Sequence, residues 1–206
     1  MSKSARRSVL TNVLGAIALI LSACASTSLT NSWRDPDYKG PPLRKIMVVG
    51  VSSQPVTRRT FEDEFVKELK AVGIDAVASY DFIPEDGQVE EARVTQAVKQ
   101  AGADGVLITR LVRVDVTAQV SPGYYAPGMG LGYHGGYAGA WRGGFYNPPV
   151  VSTTDTLVLE TSLYGVNESN LLWSGTTQTF APTSLKQNMP GFAKVIIAAL
   201  QKQKLI

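Results

Sequence analysis

The chain is 206 residues long, carries 20 Lys plus Arg against 17 Asp plus Glu, and holds one Cys and one His. That length fits one domain with its own core rather than a string of several. The single cysteine excludes an internal disulfide framework, and the single histidine excludes a multi-histidine metal centre.

At the amino terminus Lys3, Arg6 and Arg7 precede an apolar run over residues 9–21, which leads into Leu21, Ser22, Ala23 and Cys24. About 20 apolar residues are needed to cross a hydrocarbon core, so this shorter run reads as the h-region of an export signal. The basic residues ahead of it favour retention on the cytoplasmic side, and small Ser22 and Ala23 suit a peptidase cleft. Leu21-Ser22-Ala23-Cys24 resembles the bacterial lipobox. The resemblance implies thioether lipidation of Cys24, cleavage before it, and acylation of the new amino terminus. Stable anchoring takes more than one acyl chain, because each buried methylene contributes only about 0.8 kcal/mol. Ala25 in place of Asp implies sorting to the outer membrane, with the domain facing the periplasm. The expected organisation is a signal peptide over residues 1–23, a lipidated tether over 24–32 and a globular domain over 33–206. Cleavage removes three of the 20 basic residues and none of the 17 acids, leaving seventeen of each. The apparent basic charge therefore gives no support to a nucleic-acid partner.

Residues 25–32 are mostly small and polar, as in a flexible tether, and Trp33 to Tyr38 open the domain in an extended, turn-rich segment. Residues 46–51 form an apolar run that predicts a strand covered on both faces near the centre of a sheet. A helix is predicted from Thr57 or Thr60 to Val72, with Phe61, Phe65, Leu69 and Val72 on one stripe. Glu62, Asp63 and Glu64 stand near its expected start, and Gly73 suits the C′ position. Residues 74–79 predict a second strand, residues 84–87 a turn, and residues 89–101 a second helix stopped by Gly102. In the strand predicted over 106–120, Val112, Val114, Val116, Ala118 and Val120 alternate with Arg113, Asp115, Thr117 and Gln119. One wet face is expected there. Residues 152–164 and 171–180 predict an antiparallel hairpin. Phe192, Val195, Ile196, Ala199 and Leu200 then mark an amphipathic helix whose solvated face carries Lys186, Lys194, Lys202 and Lys204. The order βαβαβββα predicts one α/β or α+β domain: a mixed sheet of about five strands packed by three helices.

Trp33, Asp35, Pro36, Tyr38 and Gly40, the strand at 48–51, Arg58 and Arg59 ahead of Phe61 and Glu62, and residues 73–79 together resemble a family of Gram-negative lipoproteins with an uncharacterised periplasmic domain. The resemblance spans about residues 31–206. It implies no catalytic residue and no cofactor.

Residues 121–150 form a Gly/Tyr-rich loop between strands 3 and 4, with nine of the 19 glycines and five of the eight tyrosines. Neither helix nor regular strand is expected there. Aromatic rings with polar tips offer stacking surface to a protein or glycan, so Tyr124, Tyr125, Tyr133, Tyr137, Trp141 and Tyr146 are candidate partner-binding residues. Arg58 and Arg59 join them, because they precede the first helix near a strand end, where α/β sheets hold ligands. Residues 130–135 match G-x-G-x-x-G, but no helix follows to receive a pyrophosphate. His134 is the one imidazole available to a hydrolase, and no G-x-S-x-G elbow accompanies it. No metal site is expected. The expected function is a non-enzymatic envelope binding or assembly module held by lipidated Cys24, with the membrane and an envelope protein or glycan as partners. A self-associating structural subunit and a periplasmic hydrolase using His134 are the alternatives.

Overall fold

A computed structural model describes residues 27–126, 145–167, 170–180 and 184–206, with the side chains of 124–126, 145–147 and Leu185 left out. The strands are β1 (Thr27–Arg34), β2 (Lys45–Val51), β3 (Asp75–Ala78), β4 (Gly105–Ser121), β5 (Tyr124–Ala126), β6 (Phe145–Asn147), β7 (Val150–Gly165) and β8 (Leu171–Phe180). The helices are α1 (Pro55–Ala71), α2 (Glu91–Ala101) and α3 (Leu185–Lys202), with a 3₁₀ turn at Ser79–Asp81. Six strands form one mixed sheet in the order β1-β8-β7-β4-β2-β3, and β5 pairs with β6. The α/β architecture expected from the sequence is present, with one strand more in the main sheet than the expected five.

β2 runs parallel to β3 and β4, with its alternate residues feeding two cores. Ile46 and Val48 pack with Phe61, Phe65, Phe192 and Ile196 of α1 and α3. Met47 faces Ala97 and Val98 of α2, together with Val106. A strand covered on both faces needs a continuous apolar run, which is what residues 46–49 supply. It sits second from the sheet edge rather than at the centre.

β1 is the added strand. Residues 27–32, assigned above to the tether, pair antiparallel with β8 from Thr27↔Thr179 to Arg34↔Trp173. An edge strand whose side chains are mostly in water needs no apolar alternation, so its polar sequence hid it. α1 starts at Pro55 in the N1 position and leaves its first turn without an acid. Glu62 therefore lies within the helix rather than at its start. α3 starts seven residues before Phe192, capped by the Ser184 hydroxyl, which accepts from the Gln187 N–H at 3.3 Å. Pro190 is accommodated in its second turn, where the one forfeited bond is that to the carbonyl of exposed Lys186.

β4 and β7 run on past the rest of the sheet. β2 ends level with Arg110 and β8 level with Thr156, whereas the β4–β7 ladder continues to Ser121↔Val150. A bulge at Val112, between Leu111 and Arg113, changes the phase of β4. Leu107 packs into the α1–α3 core and Val106 into the α2 core. Beyond the bulge it is the even-numbered residues that share the face of Leu157 and Leu159. Pro122, Gly123, Pro148 and Pro149 interrupt the ladder, because proline brings no N–H, and it resumes as β5–β6.

Candidate functional site

Three places in the fold gather polar, aromatic or uncovered apolar side chains. The first surrounds Arg58, Glu62 and Ser79. Glu62 is fully buried, and its Oε1 accepts from the Gly50 N–H at 3.0 Å, Arg58 Nε at 3.1 Å and Ser79 Oγ at 2.7 Å. Its Oε2 accepts from the Tyr80 N–H at 3.1 Å. Arg58 is 5% exposed and donates onward to the Glu85 and Ile83 carbonyls and to Ser79 Oγ. Gly50 permits this approach of helix to strand, since a Cβ there would stand 2.9 Å from the Phe61 ring. Every nitrogen of Arg58 is committed inside the protein, which corrects its assignment as a partner-binding residue: it has no free face. Arg59, one position on, is exposed, and its guanidinium lies 5.8 Å from the centre of the Tyr80 ring.

The Tyr80 hydroxyl donates to Asp63 Oδ1. That bond, then burial, then the charges of Asp63, Asp81 and Glu62 push the phenol up from 10.0 to about 12. It is therefore a neutral donor at any physiological pH, not a base.

The second place is a cavity of about 420 Å³ at the opposite end of the sheet, between residues 35–43 and the β7–β8 turn. Asp35, Asp37, Tyr38, Asp104 and Asn167 line it. Its polar groups already serve the fold. Asp104 accepts from the Arg44 and Lys45 N–H groups at 2.9 Å, Asp35 Oδ1 accepts from the Asp37 N–H, and Tyr38 OH donates to the Pro41 carbonyl at 2.7 Å. Among the described residues no group of three or more His, Cys, Asp or Glu could hold a metal ion.

The third place is the β4–β7 arm. The expectation of one wet face is corrected here, because both faces are exposed. Val112, Val114, Val116 and Val120 of β4 and Val150 and Val151 of β7 all stand in solvent, with Val116, Val120 and Val151 more than 60% exposed. Val120 is directly opposite Val151. The expectation that residues 121–150 hold no regular strand is also corrected. Backbone pairing joins Tyr125 to Tyr146 and Tyr124 to Asn147 at the arm's continuation, so three of the aromatic candidates share one short ladder. Tyr133, Tyr137 and Trp141 lie outside the described residues, as do Cys24 and His134. The missed element is the bare apolar arm, and its signal was the length of the two strand patterns compared with their neighbours. Among the described residues no helix is long and apolar enough to cross a membrane.

No family profile matches the chain, and no curated protein matches it. Among solved structures it is similar to the PelC dodecamer from Paraburkholderia phytofirmans, at 14% identity and a TM-score of 0.44, over 82% of this chain and 94% of that one. It is also similar to the lipoprotein GNA1162 from Neisseria meningitidis, at 12% identity and a TM-score of 0.39, over 77% of this chain and 96% of that one. Likenesses of this size carry no functional assignment.

Proposed function

We propose that this chain is a lipoprotein anchored through Cys24 in the bacterial outer membrane, whose periplasm-facing domain binds or assembles an envelope component without catalysing a reaction. The observation that carries the reading is the arm: two long strands leave the body of the domain and hold uncovered valines on their way to the aromatic segment. A soluble monomer with no partner has no use for such a surface, since large exposed apolar patches mark interaction sites. The candidate chemistry elsewhere is absorbed by the fold, because the buried Arg58–Glu62 pair is satisfied internally and Tyr80 is held neutral. The lipobox supplies the address.

The test is the intact mass of the chain purified from membranes of a Gram-negative host. It is expected to lack residues 1–23 and to carry a diacylglyceryl group and an acyl chain on Cys24. A full-length or unacylated product overturns the reading. A second reading, self-association of copies, is favoured by one observation: the arm's outer backbone edges have no partner strand among the described residues and carry no lysine to block pairing.

A further inference from the structure

The strand register places the amino-terminal exit of the domain and its arm at the same end of the sheet. Thr27 pairs with Thr179, Thr179 with Leu157, and Leu157 with Val114. Thr27 thus stands in the row where the uncovered valines of the arm begin, and β1 runs from there to the other end, where Arg34 pairs with Trp173. Cys24 is three residues before Thr27, a reach of at most about 11 Å. Past Val114, β4 continues for seven residues, about 23 Å at the rise of a strand. In the opposite direction β1 and the body behind it extend over a similar depth, about 23 Å. If Cys24 is held at a surface, turning the arm away from it would press the body into that surface, because the tether spans about half the body's depth. The arm therefore slopes towards the surface and meets it at a slant, because its own 23 Å also outreach the tether and an end-on approach would drive the tip past the surface.

Its chemistry suits that place. Val114, Val116 and Val120 share a face with Val151, and none is covered; exposed Asp155, opposite Val116, is the one charge on that face and limits docking to the part of the arm beyond it. The last charges on the arm are Asp115 and Asp155; between them, over residues 116–154, Arg142 is the one charged side chain. Two backbone edges without a partner strand among the described residues bar entry into the hydrocarbon core, where unsatisfied N–H and C=O groups cost several kcal/mol each. They are tolerated at the headgroup boundary, where water and polar headgroups reach them. We infer that the arm is a membrane-contacting element whose valine face docks shallowly into the bilayer that holds the lipid on Cys24. This rests on the lipid-anchor reading above. The acyl chains hold the protein; the arm orients it, and leaves the cavity end facing away.

The test uses the full lipidated chain. Because the Cys24 thiol is consumed in the thioether, Val120→Cys supplies a unique site for a fluorescent probe, and Lys39→Cys supplies one at the far end. Each labelled chain is reconstituted into phosphatidylethanolamine–phosphatidylglycerol vesicles with or without brominated acyl chains. Position 120 is expected to lose most of its fluorescence to bromine while position 39 keeps it. A chain that floats with the vesicles yet stays equally bright at both positions overturns the inference and leaves the anchor standing. Energy transfer between labelled copies in that case assigns the arm to copy-to-copy contact instead. A chain that fails to float removes the anchor reading, and this inference with it.

Discussion

Arg58 and Arg59 are alike in the sequence and opposite in the structure, and helical phase separates them. Arg58, Glu62, Phe65 and Leu69 follow the 3.6-residue repeat of the buried stripe, whereas Arg59 is rotated by about 100° from it. An arginine on a buried stripe, four residues before a glutamate, signals an internal ion pair. Reading both arginines as ligand-binding residues missed that phase. Because fully buried Glu62 serves four donors, Glu62→Leu leaves the buried Arg58 guanidinium with only the more exposed Asp86 carboxylate, 3.6 Å from its Nη1. Losses on breaking such a pair run to about 3–5 kcal/mol, and urea unfolding is expected to show a loss in that range. A change below about 1 kcal/mol would mean that Arg58 escapes to solvent. Tyr80 makes a separate prediction. Its folded-state value near 12 lies above the unfolded 10.0, so its contribution to stability is complete below pH 10 and disappears as pH rises towards 12. Urea midpoints measured from pH 8 to 12 are expected to fall more steeply for the native chain than for Tyr80→Phe. Parallel profiles would show that the bond to Asp63 does not form.

At the scale of elements, the legible parts were those whose burial imposes a period. β2 sits between two cores and reads as an unbroken apolar run; α1 has its stripe of Phe61, Phe65 and Leu69, and Gly73 follows it with φ +87°. β7 and β8 paired as their alternation indicates. The illegible parts were those that bury little or break their own pattern. β1 is held by backbone bonds to β8 and by the Thr27–Thr179 hydroxyl contact at 2.9 Å, so nothing in its side chains announces it. α3 is longer than its apolar stripe because Pro190 and Gly191 look like a stop, yet the Ser184 cap nucleates the turn before them. The valines at 114–120 were correctly placed on one face, but alternation cannot say whether anything covers that face. Coverage depends on where α1 and α3 end, which is a property of the tertiary structure.

At the scale of the whole molecule, the packed body and the arm are physically separable. Among the described residues, those buried in both cores come from the body, and the distal arm contributes none of them. An isolated two-stranded ribbon is at best marginally stable in water, so the arm depends on the body while the body owes it little. Replacing residues 117–154 by an Asn-Gly turn between Val116 and Asp155 tests this asymmetry, because Asn-Gly closes a two-residue hairpin without strain. The shortened chain is expected to unfold cooperatively, with a urea midpoint close to that of the native protein, and to keep its lipid on Cys24. It is also expected to lose its cross-links to envelope components in intact cells. Oligomers that vanish along with those cross-links would identify the lost partner as another copy. A collapse of cooperative unfolding would show instead that the arm is part of the fold, and its bare valines would then need a structural explanation rather than a functional one.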